Sequence, residues 1–151
     1  MKTYLNRLIL VISLFTGLFF NNVSGQTGSD TTSIRETCLN YIEGFYTNDY
    51  HRIEKAVHPE LAKRVIRMDE DGFVMIHNMG VSELLFNAKN FSKPEDKTNV
   101  PFRADIVIYD ISCGIASVKI TQNKMNLIDY LHLGKINGDW KIINVMWAWK
   151  E

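Results

Sequence analysis

The sequence predicts an α+β fold in which helices precede an antiparallel sheet. Apolar residues recur at helical spacing between Ile34 and Tyr46. Four β-rich runs then occupy residues 102–149, and the last two flank Asn137 and Gly138. Asn-Gly is the dipeptide most typical of a two-residue hairpin turn. Helices followed by a run of strands favour this class over an alternating α/β fold.

The first helix should begin at Ser33. Residues 33–36 form a capping box, in which Ser33 can accept a hydrogen bond from a helix amide and Glu36 can reach back toward the helix start. Residues 26–32 form a short polar segment, so a flexible tail is expected before the helix. The folded domain should therefore span residues 33–151.

Two shorter helices are expected after the first. The second should run from Tyr50 to Val57, since Pro59 disfavours helical geometry at the residue before it. Residues 61–64 could add another helical turn. The sequence Asp-Glu-Asp-Gly at 69–72 predicts a hairpin turn, and Ser82 should cap the third helix.

The N-terminus has the pattern of a cleaved secretory signal at residues 1–25. Lys2 and Arg7 precede an apolar run at residues 8–20, and small residues follow at 23–25. Cleavage after this segment would leave a periplasmic or secreted protein. The 13 residues of the run fall short of the roughly 20 that cross a bilayer, so no membrane span is expected.

Length and charge indicate one domain without affinity for nucleic acid. The 126 residues that follow the predicted signal can build one hydrophobic core. The sequence has 17 basic and 17 acidic residues, and loss of Lys2 and Arg7 would leave 15 basic residues and a net charge of −2. Such a protein lacks the positive surface that attracts polyanions, so nucleic acid is not an expected partner.

The two cysteines, Cys38 and Cys113, leave two interpretations open. An exported protein can keep a disulfide, although Cys38 lies on a predicted helix and Cys113 in a predicted turn. The alternative is a pair of buried thiols, because free cysteine is commonly buried.

The last hairpin determines which residues face the helices. A two-residue turn at 137–138 predicts three pairs across the hairpin: Leu133 with Ile142, Leu131 with Asn144, and Asp129 with Met146. Because side chains alternate along a strand, these residues share one side of the sheet with Trp140. A three-residue turn would shift the pairing by one residue and exchange the faces of one strand.

Both sides of this hairpin are too apolar to face water. The helices should cover the side with Asp129 and Asn144, whose polar groups must then be hydrogen-bonded or line a cavity. A second protomer should cover the other side, because aromatic residues are enriched in buried interfaces. The predicted interface residues of this homodimer are Tyr130, His132, Trp147 and Trp149.

Four short motifs resemble those of one known superfamily. They are Tyr-Ile-Glu-Gly at 41–44, His-Pro at 58–59, Asp-Tyr-Leu at 129–131 and Gly-x-Trp-Lys-Ile at 138–142. Their order and spacing resemble the nuclear transport factor 2-like superfamily, the SnoaL-like cone fold, and within it the "putative lumazine-binding" branch. The resemblance implies a cone-shaped barrel with a pocket between helices and sheet, commonly assembled as a homodimer through the sheet.

The resemblance also suggests two catalytic candidates, Asp129 and His58. The superfamily includes isomerases, dehydratases, cyclases and non-catalytic binding proteins, so the fold does not select a function. In a relative such as ketosteroid isomerase an aspartate in the cone acts as a base, and Asp129 could act in the same way. Each candidate also has a structural interpretation: Asp129 could bond Asn144 or a helix amide, and His58 could cap helix carbonyls.

The candidate ligand-binding residues are polar or aromatic groups expected near the cone. They are Tyr41, Tyr46, His58, Asp129, Trp140 and Asn144. Tyrosines on a helical stripe are equally common in cores. Arg64 and Arg67, near the first hairpin, could pair with an anionic ligand or be solvated.

No metal or cofactor is predicted. His51, Glu54 and His58 share a helical face, but they match no metal-site motif and Pro59 should take His58 out of the helix. The sequence also lacks a phosphate-binding glycine loop, a serine-hydrolase elbow and a Cys-x-x-Cys pair.

Three functions remain open. The first is an exported protein that binds a small, partly apolar molecule in the cone. The second is an interaction module of the cell envelope that works through its aromatic sheet surface. The third is an isomerase or dehydratase with Asp129 as general base and His58 or a tyrosine polarising the substrate.

Overall fold

The structure, a computed structural model, describes residues 23–93 and 99–150. The predicted secretory signal at residues 1–25 lies mostly outside this range and stays a prediction. The described residues form three helices and six strands, numbered in chain order. They are α1 Val23–Thr47, α2 Tyr50–Ala56, β1 Val57–Met68, β2 Val74–Met79, α3 Val81–Lys89, β3 Ala104–Ser112, β4 Ile115–Gln122, β5 Leu127–Ile136 and β6 Asp139–Trp149.

The strands form one open sheet in the order β2-β1-β6-β5-β4-β3. Neighbouring strands are antiparallel except β1 and β6, which run parallel. The helices pack on this curved sheet, which confirms the predicted α+β cone fold. The sheet is mixed and not wholly antiparallel, because β1 pairs with the last strand of the meander. Within the described residues, no helix has the length and apolar character needed to cross a bilayer.

The first helix, α1, begins well before Ser33. Near its start, Asp30 Oδ1 accepts hydrogen bonds from Lys135 Nζ at 2.7 Å and from Trp140 Nε1 at 3.0 Å. The Lys135 bond, followed by the Trp140 bond, lowers the pKa of Asp30 from its ordinary value of 3.8. This contact ties the helix to β5 and β6. The predictions of a helix start at Ser33 and of a flexible tail at residues 26–32 are therefore wrong.

The second helix is short, and the chain passes from it directly into β1. Asp49 caps α2 by accepting a hydrogen bond from Arg52 N at 3.2 Å. Residues 61–64 belong to β1, so the predicted helical turn there is wrong. The register of β1 against β6 shifts between Val57 and Ala62. Pro59 lies in this irregular stretch, where a residue without an N–H group is tolerated.

The hairpin at residues 69–72 is confirmed, whereas the cap predicted for α3 is not. Asp69 Oδ1 accepts hydrogen bonds from the amides of Asp71 and Phe73, and Gly72 has a φ of +83°. The N-cap of α3 is Gly80, which has no side chain that could accept a hydrogen bond from the helix amides. Ser82 lies inside the helix, so its predicted capping role is wrong.

The β5–β6 hairpin has the predicted turn but not the predicted register throughout. Asn137 and Gly138 have φ values of 52° and 93°, and Leu133 pairs with Ile142 as predicted. A register shift then begins between His132 and Leu133. The pairs beyond it are His132 with Asn144, Leu131 with Val145 and Asp129 with Trp147. The predicted pairs Leu131–Asn144 and Asp129–Met146 are wrong, and from Asn144 onward β6 presents the opposite side chains to the helices.

The two cysteines are both free. Cys38, a residue of α1, is buried, and burial raises the pKa of its thiol to about 12. Cys113 is exposed in the β3–β4 turn, where it has a φ of 49° next to Gly114. The interpretation as a buried thiol thus holds for Cys38 alone.

Gly44 marks the closest approach between α1 and the start of α2. A Cβ atom built on Gly44 would lie 3.0 Å from the backbone oxygen of Asp49, 3.0 Å from Ile53 Cγ1 and 3.1 Å from Arg52 Cβ. By contrast, a Cβ on Gly28 in the same helix would meet no atom within 4 Å. The two glycines therefore form a matched pair for testing this packing.

We expect Gly44→Ala to lower the free energy of unfolding. Alanine gains about 1 kcal/mol over glycine in a helix, but overpacking against fixed backbone costs about 1–3 kcal/mol. The control, Gly28→Ala, should leave stability unchanged or raise it. Urea denaturation of both variants measures the difference, and a stabilised Gly44→Ala protein would contradict the close contact.

Candidate functional site

A cavity of about 260 Å³ lies between the helices and the sheet. Most of its lining side chains are apolar or aromatic, and they come from α1, β1, β2, α3, β5, β6 and the adjoining loops. The lining residues are Tyr41, Ile42, Phe45, Lys63, Arg67, Met79, Asn87, Phe91, Met125, Leu127, Asp129, Trp147 and Trp149.

Three polar side chains meet in the buried part of this cavity. Lys63 Nζ donates hydrogen bonds to Asp129 Oδ1 at 2.8 Å and to the Tyr41 hydroxyl at 2.5 Å. The Tyr41 hydroxyl in turn donates to Asp129 Oδ1 at 3.3 Å. Relative exposure is 2% for Tyr41, 8% for Lys63 and 1% for Asp129. We call these three residues the polar cluster.

The polar cluster joins both layers of the fold. Tyr41 comes from α1, Lys63 from β1 and Asp129 from β5. Since β6 lies between β1 and β5, the Lys63 side chain must cross β6 to reach Asp129. The Lys63 ammonium lies 5.2 Å from the centre of the Trp147 ring, within range of a cation–π contact.

Burial determines the protonation state of the Tyr41 hydroxyl. Desolvation raises the pKa of Tyr41 well above its ordinary value, and the negative charge of Asp129 raises it further. The hydroxyl therefore stays protonated at neutral pH and acts as a hydrogen-bond donor. The opposite charges of Lys63 and Asp129 compensate each other, which is the condition under which charged groups are tolerated in an apolar interior.

Trp147 provides a further polar atom at the cavity. Its Nε1 is buried and has no hydrogen-bond partner among the described residues. The ring contacts Trp149 edge-on, with ring centres 5.2 Å apart. Both side chains line the cavity because the register shift in β6 places Trp147 opposite Asp129.

The cavity opens to solvent near Arg67 and Trp149. Arg67 is exposed, and Trp149 has a relative exposure of 65%. Asn87 of α3 also lines the cavity, and its described contact is a weak one from Nδ2 to Met79 Sδ at 3.9 Å. The buried end of the cavity therefore holds the polar cluster, and the open end holds a guanidinium group.

The structure brings together only two of the predicted ligand-binding residues, Tyr41 and Asp129. Tyr46 stacks on Phe102 with ring centres 4.4 Å apart and is not among the lining residues. Trp140 is held by Asp30 and does not line this cavity either.

His58 and Asn144 also lie outside the cavity lining. His58 Nδ1 accepts a hydrogen bond from the backbone amide of Glu60 at 3.2 Å. Asn144 lies on the outer side of the sheet, where it accepts from Arg64 Nη1 at 2.8 Å and contacts His132 Nδ1 at 3.2 Å. The prediction that Asn144 shares the helix-facing side with Asp129 is wrong, because it assumed an unbroken register.

The predicted interface residues divide between the two sides of the sheet. Tyr130 and His132 are exposed on the outer side of the sheet, and their role in an interface stays a prediction. Trp147 and Trp149 line the cavity instead, so their assignment to the outer side is wrong. The same register shift explains this error.

The three residues considered as metal ligands do not converge. His51 Nδ1 lies 3.2 Å from Glu54 Oε2, whereas His58 bonds the Glu60 amide. No group of three or more potential metal-binding side chains occurs within the described parts of the chain.

Sequence reasoning missed Lys63, the central residue of the polar cluster. Every second side chain along residues 61–65 is buried, namely Leu61, Lys63 and Val65. This alternation is the signal that could have identified Lys63, since a lysine between two buried strand positions must be paired. The helical turn predicted for residues 61–64 concealed it.

Comparison with known proteins places the chain in a family. The family model described as "Putative lumazine-binding" matches residues 29–148. The chain belongs to this family. No curated protein sequence matches this chain.

Several solved structures share the fold of this chain, although their sequences are only distantly similar to it. A nuclear transport factor 2-like protein of unknown function from Shewanella baltica is 20% identical, with a TM-score of 0.62 over 85% of this chain and 97% of that one. A similar protein from Methylobacillus flagellatus is 18% identical, with a TM-score of 0.63 over 86% and 97%. A "Putative Scytalone Dehydratase" from Novosphingobium aromaticivorans is 11% identical, with a TM-score of 0.58 over 85% and 89%. These matches show that the chain has the fold of nuclear transport factor 2-like proteins.

Replacing Lys63 by methionine should lower the free energy of unfolding by about 3–5 kcal/mol, because the Asp129 carboxylate would remain buried without its charge partner. Asp129→Asn should also destabilise the protein, because it leaves the ammonium group unpaired. The double variant should lose less than the sum of the two losses, since neither charge then remains.

Urea denaturation of the two single variants and the double variant measures this coupling. Lys119→Met is the control, because Lys119 lies on β4 outside the cavity lining, and its effect should stay within about 0.5 kcal/mol. Strict additivity of the Lys63 and Asp129 effects would contradict a stabilising ion pair.

Proposed function

We propose that this protein binds one small, partly apolar molecule in the cavity between its helices and its sheet. The polar cluster is the observation that carries the proposal. It places fixed donors and an acceptor in the buried part of a mainly apolar cavity, which is the usual composition of a small-molecule site. The family description supports the same class, since lumazine is a small planar heterocycle with carbonyl and N–H groups.

The cavity volume limits the size of the ligand. About 260 Å³ lies just below the range of roughly 300–1,000 Å³ that is common for ligand pockets. A molecule of one or two fused rings suits this volume better than a steroid. The ligand would place its apolar surface against the aromatic side chains and its polar edge toward Lys63 and Asp129.

Binding is favoured over proton-transfer catalysis by the arrangement of the candidate residues. The Oδ1 atom of Asp129 already accepts from Lys63 and Tyr41, and His58 is outside the cavity lining. Of the two groups that could polarise a substrate beside Asp129, His58 is therefore absent from the cavity, and the hydroxyl of the tyrosine, Tyr41, already donates to the Asp129 carboxylate.

A panel of pterins and other aromatic compounds of one or two rings should contain a ligand that raises the melting temperature. A compound at 100 times its Kd stabilises the native state by about 2.7 kcal/mol, which corresponds to several degrees. Asn87→Trp should abolish the shift, because the larger side chain would fill the cavity from α3. Differential scanning fluorimetry measures both.

Phe86→Trp is the matched control for this experiment. Phe86 neighbours Asn87 on α3, has a relative exposure of 68% and does not line the cavity. The control should keep the ligand-induced shift. If Asn87→Trp and Phe86→Trp respond equally to the ligand, it binds elsewhere.

We also propose that the protein is exported and forms a homodimer through the outer side of its sheet. The predicted signal at residues 1–25 supports export. Support for the dimer comes from apolar side chains that remain exposed on this side, since a large exposed apolar patch usually marks an interface. They are Ile66, Ile76, Tyr130, Ile143 and Met146. Binding of a different envelope protein to this surface is the alternative.

Met146→Lys should convert the dimer into a monomer, because it places a charge among these apolar residues. Met146 pairs with Tyr130 on β5 and with Arg64 on β1, so it lies near the middle of the outer surface. Phe86→Lys on α3 is the control and should remain dimeric. Sedimentation equilibrium gives the masses, and a monomeric parent protein would contradict self-association.

A further inference from the structure

We propose that the ligand of this cavity is a planar aromatic monoanion whose negative group binds Arg67 and whose hydrogen-bond acceptor meets Trp147 Nε1. This inference rests on the proposed function and narrows it to one chemical class. Three separate features of the cavity support it: its aromatic walls, its charge and one unsatisfied donor.

Aromatic side chains line the cavity from both layers of the fold. On the helix side, Phe45 and Phe91 have ring centres 4.9 Å apart. On the sheet side, Trp147 and Trp149 have ring centres 5.2 Å apart. A flat aromatic ring between these two pairs would contact ring faces and edges on both sides, which is a favourable arrangement for aromatic groups.

The charges along the cavity leave an excess of one positive charge. Lys63 and Asp129 form an ion pair at 2.8 Å and compensate each other. Arg67 lies on the same side of β1, about 13 Å from Lys63 at roughly 3.3 Å per residue. None of the residues in the described ranges forms an ion pair with Arg67. A guanidinium group binds a carboxylate or similar anion through paired hydrogen bonds, so a single negative charge on the ligand fits the open end.

The indole N–H of Trp147 requires an acceptor. Trp147 Nε1 can only donate, and a buried donor without an acceptor is costly. Because Trp147 lines the cavity, the carbonyl, ring nitrogen or anionic oxygen of a ligand seated beside the indole would accept this bond. The ligand would thus be fixed at two points, the guanidinium at the open end and the indole N–H further in.

Two probes of nearly equal shape test the charge preference. In 2-naphthoate and 2-naphthamide the same ring system carries an anionic and a neutral group, respectively. Isothermal titration at low salt should give about tenfold tighter binding of 2-naphthoate, in line with a charge-assisted hydrogen bond. Arg67→Gln should remove this preference. Arg67 is exposed, so the variant is expected to fold.

Arg64→Gln is the matched control for charge. Arg64 lies on the same strand and loses the same charge, but its side chain bonds Asn144 on the outer side of the sheet. It should keep the preference for 2-naphthoate. Trp147→Phe should weaken both probes by about fivefold to tenfold, the usual effect of one lost hydrogen bond. Trp140→Phe, which removes an indole N–H outside the cavity, should not.

The outcomes separate this inference from the proposed function. Equal affinity for the two probes, or an anion preference that survives Arg67→Gln, would overturn the inference while binding in the cavity still stands. Equal losses in Arg67→Gln and Arg64→Gln would also overturn it, because the effect would then be long-range electrostatics. Failure of both probes and of every neutral compound in the panel would overturn the proposed function as well.

Discussion

The ion pair between Lys63 and Asp129 is the interaction on which the architecture depends. The two residues lie on strands that β6 separates, and Tyr41 of α1 contacts both. Buried charges are tolerated only when they are paired and hydrogen-bonded. The helix and the two strands must therefore keep a fixed relative position, and the cavity beside them gains polar atoms at fixed places within apolar walls.

The parts of the fold that local patterns specify were predictable from the sequence. Helical spacing, the Asn137-Gly138 turn and the residues 69–72 turn each depend on neighbouring residues. The start of α1 and the strand at residues 61–64 depend on distant partners. Asp30 is held by residues of β5 and β6, and residues 62–64 pair with β6. The alternation at residues 61–65 can indicate a strand, but no local pattern identifies its partner β6 or the partners of Asp30.

The candidate site was predictable in part for the same reason. The strand alternation around Asp129 identified a carboxylate among apolar neighbours, and the helical stripe identified Tyr41. The other lining residues depend on a one-residue register shift within β6, because every residue beyond the shift changes to the opposite side of the sheet. It turns Trp147 toward the cavity and Asn144 toward the outer surface. A bulge of this kind responds to packing across the whole sheet, so the turn sequence alone cannot reveal it.

The central place of β6 in the sheet has a consequence for biosynthesis. The strand that joins the β1–β2 hairpin to the rest of the sheet, β6, is translated after the other five described strands. Pairs such as Val57 with Ile142 link residues that are far apart in the sequence, and pairings of high sequence separation form slowly. Until β6 has left the ribosome, the β1–β2 hairpin cannot join strands β3–β5 in one sheet. The unpaired edge of the hairpin is therefore open to aggregation until β6 is made, and chaperones have that interval in which to bind the nascent chain.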